Sequence, residues 1–157
     1  VACQNRVERK ARHHRHHRFP DPRSQHVSTG QQFVTGVDFV PVPTHDLEAA
    51  VEFYGETIGL TRSAYRPERH FAEFETGNLT LSVIDAEAMG IPYSVSGNAI
   101  ALHVEDVAEA RSTLETRGVS FAGETFDTGV CHMALFSDPD GNALMLHHRY
   151  APRVPDA

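Results

Sequence analysis

VDFVPVPTHDLEAAVEFYGETIGL, residues 37–60, is answered about sixty residues later by NAIALHVEDVAEARSTLETRGVSF, residues 98–121. Each reads as a short apolar strand, an aspartate, about twelve residues of helical pattern, then a glycine and a new apolar residue. The mechanism is the same in both. Asp46 and Asp106 can accept a hydrogen bond from a free backbone N–H at a helix start, and Gly59 and Gly118 can take the left-handed conformation that ends one. Leu47, Val51, Tyr54 and Ile58 fall on one helical stripe; Val107, Ala110, Arg111 and Leu114 form the second, interrupted by Arg111. A period near sixty is too long for a solenoid repeat and suits a duplicated small module.

Strand material follows each helix. LTRSAYRP, HFAEFETG and LTLSVID come after the first, and VSFAGETFDTG, CHMALFSD and NALMLHH after the second, separated by turn residues. The last two strands are joined by Asp138-Pro139-Asp140-Gly141-Asn142, where proline presets one φ and glycine or asparagine permits a positive one. Each unit is thus βαβββ, and the expected class is α+β, with paired βαβββ modules forming a cupped mixed sheet and the helices on its outer face. Alternation assigns the faces. Val40, Val42, Ile100, Leu102, Val104, Leu144 and Leu146 point to the helices. Phe39, Pro41, Ala99, Ala101, His103, Ala143, Met145 and His147 point away, onto a second, partly apolar face, and a concave surface of that kind is the usual form of a small-molecule site.

The 157 residues fit one domain, and 40% hydrophobic residues is ordinary for a globule. The expected organisation is a disordered basic arm over 1–34, a domain over 35–150 made of modules 35–90 and 97–149, and a short tail over 151–157. The arm has almost no aliphatic side chains with which to offset the entropy of ordering, and its HHRHH run lacks the fixed geometry of a structural zinc site. Residues 1–30 hold seven Lys/Arg against two acidic residues, which leaves seven against nineteen in residues 31–157. A body so acidic lacks the basic face that phosphate binding requires, so no nucleic-acid partner is expected. No stretch approaches a membrane span and no short apolar run follows the basic start, so no membrane partner and a cytoplasmic setting are expected. The two cysteines, Cys3 and Cys131, imply no disulfide framework.

The paired units, DLEAAVEFYGETIGL after the first strand and SDPDGNALML near the end resemble the vicinal oxygen chelate superfamily, which includes glyoxalases, bleomycin-resistance proteins and extradiol dioxygenases. The resemblance covers roughly residues 35–149 and implies a metal or ligand in the cup and a homodimer. Family members that use a metal take it from four cup-facing positions filled by His, Gln or Glu. Carried over one at a time, these fall on Phe39, Ser82, Ala99 and Met145. None is a good donor, since divalent ions in such sites require imidazole, carboxylate or thiolate.

What the histidines do stays open at this level. His103, His132 and His147 could rebuild a relocated site with Glu73; His132 or His147 could act as a general acid or base, which suits an imidazole's ordinary pKa; or all could bond locally and line the pocket. Cys131 and His132, as strand neighbours, face opposite ways and should not pair. Arg62, Arg66 and Arg69 either meet an anionic substrate or form a solvated cluster. The resemblance, with its donors replaced, therefore implies a metal-independent small-molecule binding protein of bleomycin-resistance type, free of cofactor, with the ligand against Phe39, Ser82, Ala99, Ala101, His103 and Met145. The alternative is a glyoxalase-like lyase or dioxygenase-like oxidoreductase using a relocated zinc, nickel or iron ion, or a histidine, His132 or His147, as acid or base. A purely structural role would require Phe39 and Met145 to block the cup.

Overall fold

The computed structural model describes residues 33–153. Among the described residues, those from Gly36 onward form a second, compact unit. Residues 1–32 of the expected arm and 154–157 of the expected tail lie outside the described residues.

The second unit holds both modules. In the first, β1 (Phe39–Thr44) leads into α1 (Leu47–Glu52), followed by β2 (Thr61–Arg66), β3 (Phe71–Glu75) and β4 (Thr80–Asp85). In the second, β5 (Ile100–His103) leads into α2 (Val107–Thr116), followed by β6 (Phe126–Asp127), β7 (Cys131–Ser137) and β8 (Ala143–Arg149). The sheets have matching orders, β1-β4-β3-β2 and β5-β8-β7-β6, and both are mixed: β1 runs parallel to β4 and β5 to β8. Such parallel pairing requires a crossover, which α1 and α2 help to supply.

Both helices start as the sequence predicts. Asp46 Oδ1 accepts from the N–H of Ala49 at 3.0 Å and Asp106 Oδ1 from Glu109 at 2.9 Å; Gly59 and Gly118 take φ of 85° and 88°. The first helix has a feature the periodicity did not reveal: after Glu52 it widens into a π-turn over Phe53–Thr57, and the Ile58 N–H reaches back to the Phe53 carbonyl. Arg111 is accommodated on the apolar stripe of α2 by lying over the Phe121 ring, 4.8 Å from its centre, while its Nε meets Glu115 at 2.8 Å.

The facing of the strands follows the alternation. Val42, Leu102, Leu144 and Leu146 are buried with Tyr54, Phe74, Leu81, Val83, Val107, Leu114 and Phe136 in one core shared by both modules. Phe39, Pro41, Ala101 and His103 are exposed, and Ala99, Met145 and His147 half-buried. Two expectations need correction. The strand read over VSFAGETFDTG shrinks to the two residues of β6 and an isolated bridge from Phe121 to Phe136, because Gly123 and Gly129 turn the chain at positive φ and Phe126 has no core to enter. The strand expected from residue 98 also starts later, so Ala99 precedes β5 rather than lying within it, while each module forms the four-stranded sheet expected of it.

The modules are joined by the β7–β8 turn. Asp138 accepts from its own turn, through the N–H groups of Asp140 and Asn142 at 3.0 and 2.8 Å, and from the Tyr54 hydroxyl at 2.9 Å. Asn142 Nδ2 donates to the Pro43 carbonyl at 2.7 Å, and Asp140 accepts from the His45 N–H and the Thr44 hydroxyl. No described helix is long and apolar enough to cross a membrane.

Candidate functional site

The duplication gives the two faces turned from the helices equivalent geometry. Ser82 on β4 stands opposite Pro41 on β1, so Phe39 lies two residues along from Ser82's partner. Met145 on β8 stands opposite Ala101 on β5, so Ala99 lies two residues along from Met145's partner. The same diagonal relation in both sheets places Phe39 and Ser82 in the first and Ala99 and Met145 in the second at corresponding positions.

The surroundings of these positions are short of charge. Phe39 is 56% exposed, Ser82 only 8%. Glu73, half-buried, is Ser82's partner across β3, and Leu135 is Met145's partner across β7. Phe39 and Ala99 have no donor atom, and the Ser82 hydroxyl and Met145 thioether are poor ligands for a divalent ion. These four residues do not fit a metal. What they offer is an apolar surface edged by a hydroxyl and one carboxylate, which can hold an organic molecule by its rings and orient it through a few polar groups.

Other cavities lie away from these positions. One of about 430 Å³ is bounded by Leu60, Leu102, Ala110, Leu114, Arg117 and Leu146. Another of about 430 Å³ lies beside Glu105, Thr125, His132, His148 and Tyr150. Neither includes Phe39, Ser82, Ala99 or Met145.

The histidines divide. His147 is opposite His103 and Met133, on the Met145 face. His132 is opposite His148, on the helix side of the same sheet, so His132 and His147 lie on opposite faces. The reason is register: Met133, not His132, stands across from His147, and one residue reverses the face. His132 Nε2 lies 3.6 Å from Asp127 Oδ2, with its ring 4.9 Å from that of Tyr150. Asp127 is held below the usual carboxylate range by the Gly129 N–H and then by the Tyr150 hydroxyl, and Tyr150 is raised in turn by that same hydrogen bond. His103 pairs with His147 in the ladder, yet its ring keeps company with Glu105 and His148.

The remaining candidates have local partners. Cys131 is buried, with the Arg149 guanidinium 3.9 Å from its sulfur, and His132 faces away from it as strand neighbours must. Arg62 lies over the Tyr65 ring, 5.1 Å from its centre, and Arg66 donates to the Tyr65 carbonyl at 2.9 Å, so both have a partner in the same residue. Missed from the sequence was the meeting of Glu105 and His148 with His103. The His147-His148 doublet and the H-x-E of 103–105 were its signals, and they gained meaning only once the two strand ends were aligned.

Residues 31–146 match the family model for the Glyoxalase/Bleomycin resistance protein/Dioxygenase superfamily. The chain belongs to that superfamily. Among solved structures it is similar to TnmS3, an antibiotic binding protein from Streptomyces sp. CB03234, with 30% identity and a TM-score of 0.64 over 75% of this chain and 98% of that one. A glyoxalase/bleomycin resistance protein/dioxygenase from Nocardioides shows 26% identity and a TM-score of 0.66, over 83% and 93% of the two chains. Uncharacterized protein YraH of Bacillus subtilis (strain 168) is 27% identical over 115 residues, 66% of this chain and 90% of its own. The superfamily's paired-module architecture is the one this chain displays.

Proposed function

We propose that this protein binds an organic small molecule, without a metal, on the faces of the two sheets turned from the helices. The observation that carries the reading is the replacement of every donor at the four corresponding positions by Phe39, Ser82, Ala99 and Met145. The likeness to an antibiotic binding protein supports the class of ligand. Because Phe39 remains 56% exposed, a second copy of the chain is the natural cover for these faces, and the protein acts as a homodimer whose cups enclose the ligand.

The test is a thermal-shift screen of the full-length protein against aromatic antibiotics, with titration of each hit. Phe39→Ala and Met145→Ala should each weaken binding about tenfold or more, the scale of a lost apolar contact at a central position. A hit whose affinity is indifferent to both substitutions would place the ligand elsewhere and contradict the reading.

One observation favours a second reading, an enzyme of glyoxalase or dioxygenase type working by histidine acid/base chemistry. His147 shares the Met145 face and is half-buried, where an imidazole can exchange a proton with a bound molecule. Turnover abolished by His147→Ala in a folded protein would establish that reading.

A further inference from the structure

The parallel strands β5 and β8 end side by side, and their ends bring together three side chains that belong to none of the four corresponding positions. His103 closes β5, Glu105 lies in the link to α2, and His148 is near the end of β8. The Val104 N–H donates to the His147 carbonyl at 3.1 Å, and the His148 ring returns the link through Nδ1, 3.0 Å from the Val104 carbonyl. One imidazole nitrogen, one carboxylate oxygen and a second imidazole nitrogen lie within 4.8 Å of one another. From this arrangement we propose that His103, Glu105 and His148 form a binding site for a divalent transition-metal ion of the zinc, nickel or copper class.

Three features of the geometry support it. A carbonyl oxygen can only accept, so His148 Nδ1 must carry the proton, and Nε2 keeps its lone pair. That is the tautomer a metal needs, fixed by the kind of backbone hydrogen bond that orients metal-binding imidazoles generally. His103 Nε2 and Glu105 Oε1 are 3.4 Å apart. Two ligand atoms each about 2.0–2.1 Å from a tetrahedral ion stand about 3.4 Å apart, so this pair is already spaced to share one. The His103 and His148 rings have centres 5.9 Å apart and planes inclined by 30°, which keeps the second imidazole beside the His103–Glu105 pair.

The donor set selects the ion. Two imidazoles and one carboxylate suit zinc, nickel or copper and do not suit calcium or magnesium, which prefer all-oxygen shells. Three protein ligands leave a fourth position for water. Since Glu105 and His103 are exposed, the ion is exchangeable, and its effect is to tie the end of β5, the start of α2 and the end of β8. His103 borders the proposed ligand face at the end of β5, whereas Glu105 and His148 lie outside it, and the site does not depend on that reading.

The probe is zinc alone, titrated calorimetrically into the full-length protein in which His13, His14, His16, His17 and His26 are replaced by alanine, so that the basic N-terminal stretch adds no imidazoles. One zinc per chain should bind, and the melting temperature should rise with zinc concentration. His103→Ala and His148→Ala should each weaken binding at least about tenfold, while His132→Ala, which alters the neighbouring imidazole only, should leave it within about twofold. Because His103 is exposed, His103→Ala leaves the core intact and decides the matter even where His148→Ala perturbs folding. Absence of zinc binding at millimolar concentration, or binding unchanged in the His103→Ala/His148→Ala double variant, would overturn the proposal.

Discussion

Tyr54 is entirely withdrawn from solvent, yet its hydroxyl is satisfied by Asp138 from the other module. Burial first, and then the Asp138 charge, push this phenol far above its ordinary value. Tyr54→Phe removes the hydrogen bond while keeping the ring, and should cost about 1–3 kcal/mol in urea unfolding, because one buried carboxylate oxygen loses a donor. The pH dependence has a definite sign. The folded chain keeps the Tyr54 proton where the unfolded chain loses it near pH 10, so the stabilisation is complete below pH 10 and falls above it, by about 1.4 kcal/mol per pH unit. The stability difference between the native protein and Tyr54→Phe should therefore shrink above pH 10 and be constant from pH 7 to 9. A difference that held constant to pH 11 would show that Tyr54 ionises freely in the fold. This joint was only half legible beforehand. The turn at Asp138–Asn142 could be read from its residues, but its partner lies 84 residues away in the chain and no local pattern points there.

The elements that could be read from the sequence are those with one buried face, because burial is what writes a period of two or 3.6 into the residues. Leu144 and Leu102 illustrate it: alternation assigned both to the helix side, and they are 0% and 9% exposed. Leu144→Ala should lower unfolding free energy by about 2–5 kcal/mol, and Leu102→Ala by an amount towards the lower end, since the cavity left behind can partly collapse near a rim. A loss under about 0.5 kcal/mol at Leu144 would mean that the faces of β8 are reversed. Where an element lacks a buried face the pattern fails. Phe126 remains 43% exposed, and the strand expected around it amounts to two residues. The π-turn after α1 is illegible for a different reason: one residue accommodated within a turn changes hydrogen bonding at Phe53–Thr57 but leaves the apolar stripe almost unaltered.

At the scale of the molecule, duplication made the architecture legible, since two copies of one pattern constrain each other more than either does alone. The superfamily followed from DLEAAVEFYGETIGL and SDPDGNALML, and residues 31–146 match its model. Phe39, Ser82, Ala99 and Met145 stand in matching register in the two modules, as a repeat of about sixty residues requires. What the sequence did not disclose was the grouping of the histidines, which depends on where β5, β7 and β8 end relative to one another: His132 goes to Asp127 and Tyr150, and His103 to His148 and Glu105. The central claim is that the faces bearing Phe39, Ser82, Ala99 and Met145 bind their ligand without a metal. Its most direct test is the dissociation constant of a ligand found by the screen, measured by calorimetry on the His103→Ala/His148→Ala protein in excess chelator and again with added zinc. The same value, within about twofold, is expected in both. An affinity tenfold or more weaker in chelator than in the chelator-free sample with one equivalent of zinc would contradict it.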